Sequence, residues 1–177
     1  GVVMALTKIG PGAFPSGSII QVVATTSTTA VNDAGAFTSF GEISTNFRRA
    51  ITPLFADSNL LLEAQFMFNQ HAGSVSLVQQ AKFYDVTNSA DVFVGEELGS
   101  RNRCTISHRA SHYDANDPDQ MTMRGFIPAS NTTARTYTIH FRCEASGTNY
   151  DFNQSHGDTT SYGFSCPFIF TIKEIKG

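Results

Sequence analysis

A chain of 177 residues is long enough to bury one domain-sized core, yet only 15% of its residues are charged, against roughly 25% in typical globular domains. Fifteen Phe, five Tyr and no Trp, set among Ser, Thr, Asn and Gly, indicate an all-β protein with polar but largely uncharged faces. The net charge of −3 gives no reason to expect nucleic acid as a partner, and no run approaches the roughly 18 apolar residues that predict a membrane span.

The first sixteen residues are predicted to form an arm, and residues 17–177 a single β-domain. Gly10, Pro11, Gly12 and Pro15 interrupt regular structure, which predicts an irregular arm over residues 1–16. In the domain, alternation of apolar and polar residues predicts half-buried strands. The first of them span 18–25, 37–43, 46–52, 59–69 and 74–86, with a short strand or loop at 90–95. The strongest core strand is 59–69, whose apolar phase comprises Leu60, Leu62, Ala64, Phe66 and Phe68.

The clearest alternation lies in residues 121–145. Tyr137, Ile139, Phe141 and Cys143 alternate with polar residues, and Pro128 ends the strand predicted at 121–127 because it cannot donate to a sheet ladder. Small polar residues join the two strands, so a hairpin is predicted here. A strand at 101–111, long polar segments at 112–120 and 147–163, and a closing strand at 164–175 complete the chain.

Eight or nine strands without any sustained 3.6-residue periodicity indicate a sandwich or a barrel. At this length, an antiparallel β-sandwich of the jelly-roll type, with two packed four-stranded sheets, is the economical prediction. No internal repeat is evident, which argues against a propeller or a solenoid.

Four segments of the chain are GSIIQVV at 17–23, GSR at 99–101 with RCTI at 103–106, FIPASNTTARTYTIHFR at 126–142, and FTIKEI at 170–175. In this order they resemble parts of the C-terminal domains of bacteriophage tail-fibre and other virion surface proteins. The resemblance covers nearly the whole chain. It implies a jelly roll similar to trimeric tumour-necrosis-factor-like knobs, and a location in the virion. Cys104, where the family often has Ala, and the long polar segment before the last strand depart from the pattern and bear on the attachment role more than on the fold.

The resemblance implies a non-enzymatic virion structural protein, a fibre or knob domain that forms a homotrimer and contributes to host attachment. Its partners would be its own copies, other capsid or tail proteins, and a glycan or protein receptor on the host surface. The alternative is a capsid decoration (cement) protein, anchored by the N-terminal arm. A carbohydrate-binding module is a more remote alternative, because neither a facing carboxylate pair nor an aromatic platform with a metal is visible in the sequence.

Candidate contact residues are the aromatic and His side chains of the long polar segments, since such residues among Asn, Ser and Gly form adaptable binding surfaces. They are Tyr150, Phe152, His156, Tyr162, His112 and Tyr113. A plain connection is the competing interpretation. Apolar residues on the second face of otherwise good strands (Leu61, Met67 and Val78) indicate a covering, supplied by a neighbouring subunit or by a loop of the same chain.

No metal site, cofactor or catalytic group is predicted. His108, His112 and Asp114, followed by Asp117 and Asp119, are the best metal-like cluster, but the context is strand and loop, and a solvated loop is the preferred interpretation. Cys104, Cys143 and Cys166 lack metal-ligand spacing and are predicted to be buried free thiols, with one disulfide left open.

Overall fold

The structure, a computed structural model, describes residues 13–32, 34–35, 37–71, 75–112, 117–144, 149–157, 161 and 163–177, with only the backbone at 75–76 and 110–112. Most of the predicted arm therefore lies outside the described residues. The strands are β1 (Ile19–Ser27), β2 (Gly41–Glu42), β3 (Arg49–Ile51), β4 (Asn59–Gln70), β5 (Val75–Asp85), β6 (Ala90–Val92), β7 (Ile106–His112), β8 (Asp119–Pro128), β9 (Arg135–Cys143), β10 (Tyr150–Phe152) and β11 (Phe168–Ile175). A 3-10 helix spans Thr45–Phe47. No described helix is long and apolar enough to cross a membrane.

The strands form two antiparallel sheets. In the first sheet, β4 pairs with β8 along one edge and with β11 and then β10 along the other, and β1 lies beside β11. In the second sheet, β9 and β5 are paired at the centre. The outer edge of β9 carries β2 and β3, and the outer edge of β5 carries β7 and β6.

The strand order identifies the sandwich as a jelly roll. The first sheet reads β1–β11–β4–β8 and the second reads β2 and β3, then β9, β5 and β7. The chain thus crosses from one sheet to the other after β1, β3, β4, β7, β8 and β9, which is the pattern of two Greek keys in a double-sheet jelly roll. The predicted fold class is confirmed.

The predicted hairpin at 121–145 is wrong. β8 pairs with β4 in the first sheet, whereas β9 pairs with β5 in the second, so residues 129–134 cross the end of the sandwich. Ala129 is fully buried at this end, and its N–H donates to the carbonyl of Ser58 at 2.9 Å. Alternation within a strand shows which face is buried but carries no information about the pairing partner, so it could not separate a hairpin from a crossing between sheets.

An aromatic cluster fills one end of the core between the sheets. The ring of Phe141 on β9 lies 5.2 Å from Phe152, 5.1 Å from Tyr150, 5.6 Å from Phe68 and 5.6 Å from Phe37, measured between centroids. The edge-to-face arrangements of Phe141 with Phe37, Tyr150 and Phe152 are favourable for aromatic pairs. The two sheets are therefore held together here mainly by ring packing.

The cysteines are free thiols, as predicted, but only one is fully buried. Cys143 lies in the core, where the hydroxyl of Tyr150 donates to its sulfur at 2.9 Å. Cys104 and Cys166 are partly exposed. Partial burial raises the pKa of the Cys104 thiol, which keeps it protonated near neutral pH.

The outward face of the second sheet carries a partly buried polar group around Glu42 and His140. Arg48 donates to both carboxylate oxygens of Glu42 at 2.8 Å, and this pair lowers the pKa of Glu42. The ring of His140 stacks on Tyr84 with centroids 4.0 Å apart. Burial, helped by the nearby charge of Lys82, lowers the pKa of His140. A charged imidazole at this position is therefore disfavoured.

This environment predicts a loss of stability in mild acid. Because the pKa of His140 is lower in the folded than in the unfolded chain, the unfolded chain binds more protons as the pH falls below the ordinary value of 6.5. The contribution of the neutral ring to the free energy of unfolding is therefore complete above pH 6.5. It decreases as the pH falls toward the pKa that His140 has in the folded chain. We expect His140→Gln to flatten the decrease in unfolding free energy between pH 7 and pH 5, measured by urea denaturation. An unchanged pH dependence would contradict this assignment.

Candidate functional site: the outer face of the first sheet

The outer face of the first sheet is formed by the side chains of β4 that point away from the core, together with their neighbours on β1, β8 and β11. Leu60, Leu62, Ala64, Phe66 and Phe68 are buried inward, as predicted. Leu61, Glu63, Gln65 and Met67 alternate with them and therefore point outward. Val78 lies on the outward phase of β5 in the second sheet, so it cannot share one covering surface with Leu61 and Met67.

One end of this face carries an apolar patch of five residues, contributed by two adjacent cross-strand rows. The first row pairs Ile19 with Ile175, and the second runs from Val22 through Lys173 and Leu61 to Phe126. Ile19 and Val22 are each 54% exposed and Phe126 is 48% exposed. Single exposed apolar residues are common, but a group of five on one end of a face (Ile19, Val22, Leu61, Phe126 and Ile175), with Lys173 within its second row, is typical of an interaction surface.

A group of three charges borders the apolar patch. The carboxylate of Glu63 contacts Arg124 at 2.9 Å and Lys173 at 2.5 Å. These side chains come from β4, β8 and β11, so the group crosses the centre of the face. The border of the patch thus presents both positive and negative charge within a small area.

The opposite end of the face carries a cluster of two imidazoles and one carboxylate. Asp151 of β10 pairs directly with Asn69 of β4, and their flanking residues Tyr150 and Gln70 point into the core, so both side chains point outward. The Asp151 carboxylate is nevertheless fully buried. Its Oδ2 lies 2.9 Å from Nε2 of His71 and 3.2 Å from Nδ1 of His156.

The turn after β10 brings His156 back to Asp151. Asn153 has a φ of 64°, a left-handed conformation that Asn tolerates better than most residues, and it reverses the chain. The carbonyl of Asn153 accepts from the N–H of Cys166 at 2.8 Å, and the N–H of Ser155 donates to the carbonyl of Phe164 at 3.0 Å. The two segments that these bonds join line a polar cleft of about 490 Å³. Its lining comprises Asn32, residues 154–157 and residues 163–165.

The predicted contact residues are only partly at the surface. Tyr150 and Phe152 are fully buried in β10 and pack in the aromatic cluster, which corrects the expectation that they form loop contacts. His156 is on the surface, with its side chain 45% exposed. Tyr113 and Tyr162 lie outside the described residues, and His112 ends β7 with only its backbone described. The alternation of Tyr150, Asp151 and Phe152 was the signal for a short strand within the polar segment.

The structure describes only part of the metal-like cluster considered around His108, because the His112 side chain lies outside the described atoms. His108 of β7 faces Asp119 of β8, with Nε2 3.0 Å from the carboxylate. Asp114 lies outside the described residues. Among the described side chains, His71, Asp151 and His156 are instead the group whose ligand atoms all lie within 4.8 Å of one another. His71 directly follows β4, and the sequence analysis assigned it no role.

No protein-family model matches the sequence. No curated protein matches it either. Among solved structures, a mutant VP2 protein of infectious bursal disease virus in T=1 particles is similar, with a TM-score of 0.38 and 12% identity over 98% of this chain and 40% of that chain. A structure of the Gx strain of the virus has a TM-score of 0.39 and 13% identity over 90% of this chain and 43% of that chain. The VP2 subviral particle has a TM-score of 0.36 and 13% identity over 90% and 39% of the two chains. This chain therefore spans less than half the length of these viral chains, and similarity this weak carries no functional argument.

Proposed function

We propose that this chain is a non-enzymatic structural protein of a bacteriophage virion, a surface fibre or knob domain that forms a homotrimer and contributes to host attachment. The observation that carries the proposal is the apolar patch on the outer face of the first sheet. The threefold state and the phage virion come from the sequence resemblance described above.

The patch and the resemblance involve the same segments of the chain. The segment at 17–23 supplies Ile19 and Val22, the segment at 126–142 begins with Phe126, and the segment at 170–175 ends with Ile175. Only Leu61 of the five patch residues lies outside the resembling segments. This coincidence supports a role for the patch in the assembly of such proteins.

The chemistry of the patch suits a second copy of the same chain. Exposed Val, Ile and Phe side chains gain about 1.5–3 kcal/mol each when they are fully buried. The border formed by Glu63, Arg124 and Lys173 presents both signs of charge, so a copy of the same surface can supply opposite charges. The patch side chains project from paired strands, so the backbone that carries them is already ordered and loses little conformational entropy on association.

Host contact is assigned to the opposite end of the molecule. His71 lies ten residues beyond Leu61, roughly 30 Å farther in the direction of β4, so covering the patch leaves the loop after β10 accessible. His156 is the exposed contact residue of this loop, and His112, Tyr113 and Tyr162 are proposed from the sequence to join it. The proposed receptor contacts and the proposed assembly patch therefore lie at opposite ends of the first sheet.

In the decoration-protein alternative, the same patch would contact a capsid shell. The N–H of Gly17 donates to the carbonyl of Lys176 at 2.8 Å, so the segment before β1 leaves the domain beside Ile19 and Ile175. This position favours the alternative, because an arm over residues 1–16 and the patch of the domain at 17–177 would then contact one shell together.

The test is the solution mass of the purified chain by light scattering, compared with that of a Val22→Glu/Phe126→Glu variant. We expect a wild-type mass of three times 19.2 kDa. The variant is expected to dissociate, since losing about 1.5 kcal/mol or more per apolar contact raises the dissociation constant at least tenfold.

A control for the Val22→Glu change is Thr26→Glu, which adds one Glu to the same strand and face outside the patch. It is expected to remain trimeric. A monomeric wild-type chain would contradict the self-trimerising knob, and its binding to bare capsids would then support the decoration protein. Dissociation by Thr26→Glu alone would contradict the assignment of the interface to the patch.

A further inference from the structure

We propose that His71, Asp151 and His156 form a binding site for a divalent transition-metal cation such as Zn²⁺. The bound cation would hold the turn after β10 against the outer face of the first sheet. The inference does not rest on assembly through the apolar patch, since it concerns the other end of that face and requires no second copy of the chain, but it gives His156, the proposed host-contact residue, a second role.

The residue types and atoms are those of a metal site. Imidazole nitrogens and a carboxylate oxygen are the preferred ligands of Zn²⁺ and similar ions, and three protein ligands leave a fourth position open. Ligand atoms at 2.0–2.2 Å around a tetrahedral ion lie roughly 3.3 Å apart. Here the nitrogen–oxygen distances are 2.9 Å for His71 and 3.2 Å for His156, and all three ligand atoms lie within 4.8 Å of one another. Only small shifts are therefore needed to admit the ion.

The electrostatics also favour a cation. The Asp151 carboxylate is fully buried, and a buried charge requires a counter-charge. The two imidazoles approach the same oxygen atom, and their rings lie 3.9 Å apart between centroids. Two imidazoles and one carboxylate around a single divalent ion are a mutually compatible set of ligands.

A second observation comes from two buried amides beside the cluster. Asn69 pairs directly with Asp151, which places their Cβ atoms about 5 Å apart on one face. The side-chain oxygen and nitrogen of Asn69 are fully buried and have no hydrogen-bond partner among the described residues. The same is true of Asn153, which begins the turn that carries His156. Unpaired buried amides are rare, and a ligand or its coordinated water beside Asp151 would satisfy the amide of Asn69.

The chain contains an internal comparison for this site. His108 and Asp119 also approach to 3.0 Å, but the contact joins edge strands of the two sheets, and the His108 side chain is 39% exposed. The His108–Asp119 contact lies away from the cluster, so His108→Ala serves as the control variant.

The experiment is calorimetric titration of the tag-free, EDTA-treated chain with Zn²⁺, for the wild type, His156→Ala and His108→Ala. We expect one ion per wild-type chain and a Tm that rises with Zn²⁺ and falls again with EDTA. His156→Ala is expected to weaken binding at least about tenfold, since even an outer-shell change typically costs that much, while His108→Ala binds as the wild type does. Wild-type affinity in His156→Ala, or no binding by the wild-type chain, would overturn the proposal.

A second measurement requires no variant. In NMR spectra of the wild-type imidazole rings, Zn²⁺ is expected to shift the signals of His71 and His156 and to leave that of His140 in place. His140 lies on the second sheet, away from the cluster, and serves as the internal reference. Shifts confined to other histidines would also overturn the proposal.

Discussion

Replacing Phe152 by Ala is expected to lower the free energy of unfolding by about 3–5 kcal/mol, the cost of removing a large aromatic side chain from a core. The side chain is fully buried, and its ring lies 5.2 Å from Phe141, 6.0 Å from Phe37 and 6.1 Å from Phe66 between centroids. These three neighbours hold fixed positions in a close-packed interior, so much of the resulting cavity would persist. Urea denaturation followed by circular dichroism, at one fixed protein concentration, measures the change.

The matched control is Leu98→Ala, which truncates an apolar side chain that is 56% exposed. It is expected to change the free energy of unfolding by no more than about 0.5 kcal/mol. Equal effects of the two substitutions would show that Phe152 is a surface contact residue after all. The comparison therefore separates a loop contact from a core position at a residue where the sequence alone indicated the loop.

Replacing Glu174 by Ala is expected to cost about 3 kcal/mol or more, because it removes the acceptor of a buried hydrogen-bond network. The fully buried carboxylate accepts from the N–H of Leu54 at 2.8 and 2.9 Å, from the N–H of Phe55 at 3.0 Å and from the hydroxyl of Ser58 at 2.6 Å. A hydrogen bond to a charged group contributes about 1.5–3 kcal/mol, and unpaired buried donors add a desolvation cost. Hydrogen exchange should show faster exchange over residues 54–58, together with the loss of unfolding free energy.

Two further variants define the origin of this effect. Glu174→Gln keeps the shape and one acceptor oxygen, so we expect a loss of about 1–2 kcal/mol. Glu97→Ala removes an exposed carboxylate and should have almost no effect. If Glu174→Ala were as mild as Glu97→Ala, the carboxylate would not be what holds the segment before β4 to β11.

Local alternation predicted the strands that carry the core. The inward residues of β4 are those assigned from the sequence, and the closing strand alternates in burial as expected. In β9 the predicted inward residues are buried, but Thr138, predicted on the polar face, is buried as well. The short strands were less predictable. Residues 37–43 and 46–52 contain only β2, β3 and a 3-10 helix, because two- or three-residue strands are formed by tertiary pairing with β9 and not by their own pattern.

The sequence predicted part of the apolar patch but not the cluster of His71, Asp151 and His156. Leu61 and Met67 were recognised as apolar residues on an outward face, and the structure adds Ile19, Val22, Phe126 and Ile175 to Leu61 through strand register. The imidazole cluster was missed, because His71 and Asp151 are 80 positions apart in the sequence and meet only where β10 pairs with the end of β4. Neither residue has neighbours in the sequence that indicate a metal ligand.

The sequence by itself determined the all-β class and the inward residues of the long strands, since these follow from a two-residue period that any strand obeys. The jelly-roll expectation came from the number of strands, the chain length and the resemblance. Tertiary structure alone decided that β8 and β9 belong to different sheets, that Tyr150 and Phe152 are core residues, and which distant side chains share one face. The physical reason is that pairing and register depend on contacts between remote segments, whereas alternation depends only on the geometry of one strand.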